Sequence, residues 1–289
     1  MRNFWTQVCI LARMVKIEHS IFALPFAYLG MLWSAQGWPG WRVFCALTVA
    51  MVAVRSFAMA MNRVLDLPFD AKNPRTQDRP LVSGELTLKE AWIFIGLSAL
   101  IFLGACWFLN SLCFTLAPLA LIWSALYSLT KRVSFLCHFF LGSVLALAPL
   151  AGWLAVDPTI SLTPVLLALG VTLWVGGFDI LYACQDVDFD RSEALHSLPA
   201  RFGIPTALAL STFAHAVTGV FFLLAGWAAG AGLIFSGVGA VVAAILLVEH
   251  RFISATDMSR VNFAFFTMNG FVAIFLCVGA VADQVLRSL

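Results

Sequence analysis

Two short stretches carry carboxylates at a repeated spacing. Asn62-Arg-Val-Leu-Asp66-Leu-Pro-Phe-Asp70 sets Asn62, Asp66 and Asp70 four residues apart, then runs on through Lys72, Arg75, Arg79, Ser83 and Gly84. Asp179-Ile-Leu-Tyr182-Ala-Cys-Gln-Asp186-Val-Asp188-Phe-Asp190 answers it. Overlaid with an offset of 120 residues, Asn62, Asp66 and Asp70 fall on Tyr182, Asp186 and Asp190. On a helix, positions i, i+4 and i+8 drift by only about 80°. Each set therefore shares a face, with Pro68 ending or kinking the first helix before Asp70. Like-charge repulsion penalises two such acidic ends unless cations sit among them. Hard oxygen ligands of this kind suit Mg²⁺, which favours a few carboxylates together with phosphate oxygens. The interleaved Arg63, Lys72, Arg75, Arg79, Lys131 and Arg132 can neutralise non-bridging phosphate oxygens.

The elements that position these groups are membrane helices. The 289-residue chain is 62% hydrophobic and only 11% charged, with a mean hydropathy of +0.94. Soluble domains carry about 25% charged residues. Several apolar runs approach or exceed the roughly 20 residues that span a bilayer. Nine spanning helices are predicted, over 15–36, 42–63, 90–109, 112–130, 137–156, 163–185, 205–227, 232–249 and 261–283. Arg13, Lys16 and Glu18 interrupt the start, so the N-terminus does not read as a cleavable signal. The seven cysteines lie scattered through apolar segments and read as small packing residues. No basic run suggests nucleic acid.

Of the 17 Lys and Arg residues, 14 fall in the N-terminal segment and the connections 64–89, 131–136, 186–204 and 250–260, counting Arg63 at its helix end. Arg42 and Arg287 lie on the opposite side, and Arg55 lies inside the second helix. By the positive-inside rule, the N-terminus and both aspartate stretches are cytoplasmic and the C-terminus is outside. The expected location is a bacterial-type inner membrane. The expected organisation is one membrane domain over 1–289 with a weak internal pseudo-repeat.

A lipid diphosphate satisfies both an acidic, basic-lined rim and an apolar bundle. Its head would sit in the Asp/Mg²⁺/Arg cluster and its tail among helices rich in Phe (26) and Trp (10). Metal and basic groups would stabilise the departing diphosphate, and aromatic faces would stabilise an allylic cation.

At these residues the chain resembles the UbiA superfamily of intramembrane aromatic prenyltransferases. Asn62, Asp66 and Asp70 look like its N-x-x-x-D-x-x-x-D motif, continued by Arg75, Arg79, Pro80, Ser83 and Gly84. Asp179, Tyr182, Asp186 and Asp190 look like its second motif, and Tyr127-Ser-Leu-Thr-Lys131-Arg132 resembles its Y-x-x-x-K-R loop, with Gly142 following. The resemblance covers roughly residues 10–283. It implies an all-α bundle of about nine helices around a central cavity, and Mg²⁺-dependent transfer from a polyprenyl diphosphate to a small aromatic acid.

Carried over, Asn62, Asp66 and Asp70 would hold one Mg²⁺–diphosphate unit and Asp186 and Asp190 the other, with Asp179 in the metal set and Tyr182 on the same face. Arg75, Arg79, Lys131 and Arg132 would clamp phosphate. Three departures stand out. Arg63 occupies a position where many members have a second Asp, and His196 stands near where many have Lys. Arg13-Met-Val-Lys16-Ile-Glu18-His19 only partly matches the R-x-D-K-P of 4-hydroxybenzoate enzymes. The run from Glu18 through Pro25 is closer to a subgroup associated with menaquinone made through futalosine, which leaves a hydroxynaphthoate-type acceptor open beside 4-hydroxybenzoate.

Arg55, about 10 Å deeper than Asn62, is a candidate contact for an acceptor carboxylate or a structural ion pair. Glu18 and His19 are candidate acceptor-binding residues. His138 has a weaker claim. His215 reads as a satisfied core histidine and His250 as a loop residue. An ion-coupled transporter is the competing class. It would place acidic residues and broken helices at the bilayer midplane, whereas here the acidic residues gather at one surface. The Asp-Gly-x-x-Ala-Arg signature of CDP-alcohol phosphatidyltransferases is not matched in this chain.

Overall fold

The computed structural model describes residues 3–16, 22–254, 257–258, 260–261 and 267–288. These residues are almost wholly helical and form no strand beyond one isolated bridge, Ser254 to Asp257. The helices are α1 Phe4–Val15, α2 Leu24–Ala35, α3 Trp41–Leu65, α4 Leu67–Asp70, α5 Leu88–Leu109, α6 Ser111–Thr130 and α7 Cys137–Leu145. They continue as α8 Leu147–Leu154, α9 Leu162–Ala183, α10 Val187–Ser192, α11 Leu198–Phe202, α12 Ile204–Ala228, α13 Leu233–Glu249 and α14 Asn269–Ser288.

The expected set of nine spans is modified in three places. Seven runs among the described residues are long and apolar enough to cross a membrane, while α2 and α13 are shorter. The segment expected as one helix over 137–156 breaks at Ala146, between α7 and α8. Pro149 explains the break, because it has no N–H to donate to the carbonyl of Leu145. The chain also begins with α1, which hydropathy did not reveal. It is short and amphipathic, it ends at Lys16 in a left-handed conformation (φ 47°), and residues 17–21 of the expected first span lie outside the described set. Its Ile10, Met14 and Val15 pack against Phe57, Ala60 and Ile95 of α3 and α5.

The outside of the bundle is apolar. Trp92, Leu100, Trp107, Leu119, Phe213 and Trp227 are all exposed, the pattern of a lipid-facing surface rather than a hydrated one. Helices approach closely where side chains are smallest. A Cβ on Gly30 would meet the Pro149 carbonyl, and one on Gly152 would meet that of Ala27, so α2 and α8 are locked backbone to backbone. Gly142 plays the same part between α7 and the Thr172 carbonyl of α9. Small residues at such crossings give membrane helices their dispersion contacts. An aromatic cluster fills the middle. Trp174 of α9 packs on Phe26 and Phe178 at centroid distances of 5.1 Å, with Phe22 at 6.5 Å.

Candidate active site

α3 delivers the first aspartate stretch and then stops. Pro68 removes the hydrogen bond that would continue the ladder to Val64. Asp66 therefore sits at the hinge, its N–H donating to Asn62 O (2.8 Å), and α4 carries Asp70 onward. The connection after α4 is compact. Asn73 Oδ1 accepts from the Arg75 N–H (3.0 Å) and Thr76 Oγ1 donates to the Asp70 carbonyl (2.8 Å). These bonds turn Arg75 and Arg79 back over the carboxylates. α9 delivers Asp179 and Tyr182, a short 3₁₀ turn carries Asp186, and α10 carries Asp190.

The two stretches line one cavity of about 310 Å³, together with Lys131, Arg132, Tyr127 and Ser128 at the end of α6. Each of four carboxylates faces its own cation. Asp66 accepts from Arg132 (3.3 Å), Asp70 pairs with Arg79, Asp186 pairs with Arg75, and Asp190 lies 2.7 Å from Lys131 Nζ. One of these pairs joins the two stretches across the site. Arg75 belongs to the first stretch, yet its guanidinium grips Asp186 along one edge (Nε to Oδ1 2.9 Å) and donates to the Tyr182 hydroxyl (2.9 Å). Lys72 reaches Glu193 across the same gap (2.7 Å).

Asp190 is wholly buried, and neither of its oxygens accepts a hydrogen bond among the described residues. Its contact with Lys131 is one of charge. The burial that would discharge Lys131 is outweighed by Asp190, so its pKa lies above the usual lysine value. Burial pushes Asp66 up; the Arg132 hydrogen bond opposes the shift and the charge of Asp70 adds to it. Such a carboxylate gains most from a cation placed beside it.

Asn62 orients Asp66. Its Nδ2 donates to Asp66 Oδ2 (2.5 Å), and its Oδ1 accepts from Arg63 (3.0 Å). Asp179 lies deeper and is bonded to His138 Nδ1 (2.7 Å). His138 Nε2 accepts the Leu198 N–H (3.1 Å), so the ring proton belongs on Nδ1 and points at Asp179. His138, Ser128, Asn73 and Thr76 carried little sequence signal. Asn73 preceding Pro74 was readable as a turn; the partnership of His138 and Asp179, 41 positions apart, was not.

Below the charged rim the cavity wall turns apolar, with Phe22, Met59, Leu141, Leu145, Val175 and Phe178. A second, apolar cavity of about 100 Å³ shares Arg55, Met59, Tyr127, Leu141 and Leu145 with the first. Arg55 thus stands where the two meet. Glu18 and His19 lie outside the described residues.

The profile of the UbiA prenyltransferase family matches residues 23–272. The chain belongs to that family. A UbiA homologue from Aeropyrum pernix K1, solved in its apo form, shares 33% sequence identity, with a TM-score of 0.80 over 94% of this chain and 99% of that one. A UbiA homologue from Archaeoglobus fulgidus, solved with DMAPP and Mg²⁺, has the same fold at 19% identity, with a TM-score of 0.73 over 96% of this chain and 99% of that one. A 4-hydroxybenzoate octaprenyltransferase of Shewanella woodyi is 28% identical over 226 residues, 78% of this chain and 79% of its own length. The protein is thus a polytopic membrane enzyme of the UbiA prenyltransferase family, not a transporter.

Proposed function

We propose that this UbiA-family enzyme transfers a polyprenyl group from an allylic polyprenyl diphosphate to the ring of an aromatic acid of the 4-hydroxybenzoate type, in respiratory quinone synthesis. The observation that carries this reading is the cavity itself. Four carboxylate–cation pairs line its mouth, and apolar and aromatic walls lie behind them.

The donor set fits Mg²⁺. It is all carboxylate oxygen, and buried Asp190 has room in its hydrogen bonding for a cation. Asp66 and Asp70, with Asn62 orienting Asp66, would hold one ion, and Asp186 and Asp190 the other, with Asp179 supporting. Bound there, Mg²⁺ supplies positive charge that stabilises the diphosphate leaving group.

The rest is the work of the chain. Arg75, Arg79, Lys131 and Arg132 exchange their carboxylate partners for phosphate oxygens, for which a guanidinium fork is well shaped. The C–O bond of the allylic ester then breaks toward a site already arranged for the charge that develops. Phe22, Phe178 and the apolar wall exclude water from the allylic cation. Phe69 and Tyr182, already under the guanidiniums of Arg132 and Arg75 at 5.0 and 5.1 Å, offer faces that tolerate positive charge. Arg55 holds the acceptor's carboxylate at the junction of the two cavities. The aromatic carbon attacks, a C–C bond forms, and the ring carbon gives its proton to the released diphosphate.

The whole chain forms one membrane domain over 1–289 in a bacterial inner membrane. The charged rim faces the cytoplasm, following the lysine and arginine asymmetry. The deciding assay offers purified enzyme a polyprenyl diphosphate with 4-hydroxybenzoate or a hydroxynaphthoate in parallel, read by mass spectrometry. Ring-prenylated 4-hydroxybenzoate is expected. Product from the naphthoate alone would overturn the acceptor assignment and move the enzyme to the menaquinone route through futalosine.

A further inference from the structure

Away from the cavity, three ligand-bearing side chains converge where α12 meets the end of α13. His215 of α12 is wholly buried, Glu249 is the last residue of α13 and is also wholly buried, and His250 follows it. His215 Nδ1 lies 2.7 Å from Glu249 Oε1 and 3.0 Å from His250 Nε2, and His250 Nε2 lies 4.0 Å from Glu249 Oε1. None of the three lines the aspartate cavity.

The geometry aims these atoms at one another. His215 Nε2 faces the Trp174 carbonyl at 3.1 Å, and only an N–H can do so. That contact turns Nδ1 to the other side, toward both His250 Nε2 and Glu249 Oε1. Neither oxygen of Glu249 accepts a hydrogen bond among the described residues. Its ion contacts there are to these two histidines, with no Lys or Arg among them. A carboxylate buried without a hydrogen-bonded cation is costly.

The geometry points to a second metal site, distinct from the Mg²⁺ chemistry of the cavity: His215, Glu249 and His250 bind a single Zn²⁺. Two imidazoles and a carboxylate are a zinc ligand set, whereas Mg²⁺ prefers oxygen throughout. Ligands 2.0–2.1 Å from a tetrahedral centre stand about 3.3 Å apart. The observed separations bracket that figure and need shifts of under about 1 Å. The Trp174 carbonyl holds the His215 ring by its far nitrogen, which is how metal-bound histidines are commonly oriented. The site is a staple. A Cβ on Gly177 would collide with the His215 ring, so the imidazole rests on α9 two residues before Asp179. Zinc here clamps α12 to the α13 terminus, while the His215 ring rests on the helix that carries the second aspartate stretch.

The test uses the full chain in detergent, stripped with chelator and returned to excess Mg²⁺, then titrated with Co²⁺ and Zn²⁺. One Co²⁺ per chain is expected, with the visible absorption of tetrahedral cobalt bound by mixed nitrogen and oxygen ligands. Zn²⁺ should displace it and raise the thermal unfolding midpoint. His250→Gln, at the rim of the cluster, should weaken binding by more than about 10-fold, the scale on which even outer-shell partners act. Asp66→Asn, in the cavity, should leave the cobalt signal intact. Absence of tetrahedral cobalt in the wild type, or wild-type affinity in His250→Gln, would overturn the assignment.

Discussion

Arg75 and Asp186, 111 positions apart, meet in a forked ion pair that joins the two aspartate stretches across the mouth of the cavity. The same guanidinium donates to Tyr182. Together with Lys72, which reaches Glu193 (2.7 Å), Arg75 ties the two sides of the surface on which a diphosphate would land.

This pair predicts a graded response. Arg75→Ala should lower kcat/KM for the polyprenyl diphosphate by about 10²–10³-fold, the usual scale for losing one preorganised electrostatic contact. Arg75→Lys keeps the charge but loses the fork, and should fall between the two. Steady-state kinetics with varied diphosphate reads both. Equal activity in all three proteins would remove Arg75 from the site.

His138 acts through Asp179. Its proton points at the Asp179 carboxylate while Leu198 holds the other side of the ring. His138→Ala should reduce Mg²⁺ affinity or activity by about 10–100-fold, as loss of a ligand's supporting partner commonly does. His138→Asn, which keeps a donor, should recover part of it. Titration of activity against Mg²⁺ distinguishes this effect from simple unfolding, which would leave the Mg²⁺ dependence of the surviving fraction unchanged.

Gly142 tests the packing that positions α9. Gly142→Ala puts a methyl against the Thr172 carbonyl and should destabilise the protein by about 1–3 kcal/mol, the scale of overpacking in a well-filled core. The thermal midpoint in detergent should drop. Gly104→Ala in α5, where an added Cβ would meet nothing within 4 Å, should not lower it.

The aspartate stretches were legible because their spacing is local. Four-residue steps on a helix end name a face without knowledge of the fold, and Pro68 marked the hinge at which Asp66 sits. The flanking Arg75, Arg79, Lys131 and Arg132 were legible as charge without counter-charge in an apolar chain. Their partners were not, since nothing in sequence pairs Arg75 with Asp186 rather than Asp70. Long-range pairs were lost for the same reason. His138 looked minor until Asp179 was seen beside it, and His215 read as an ordinary core histidine because Glu249 is 34 positions away. Hydropathy found the apolar runs but merged α7 with α8, since Pro149 interrupts hydrogen bonding without interrupting hydrophobicity. It passed over α1 because a short amphipathic helix averages to an unremarkable score.

In the proposed reaction both aspartate stretches serve one Mg²⁺-dependent prenyl transfer. Its most direct measurement is product formation from a polyprenyl diphosphate and 4-hydroxybenzoate by wild type, Asp66→Asn and Asp190→Asn, with Mg²⁺ or with excess chelator, after checking that each variant keeps its helical circular dichroism. Activity confined to the wild type with Mg²⁺ is the predicted result. Undiminished turnover in both variants, or full activity in chelator, would contradict it.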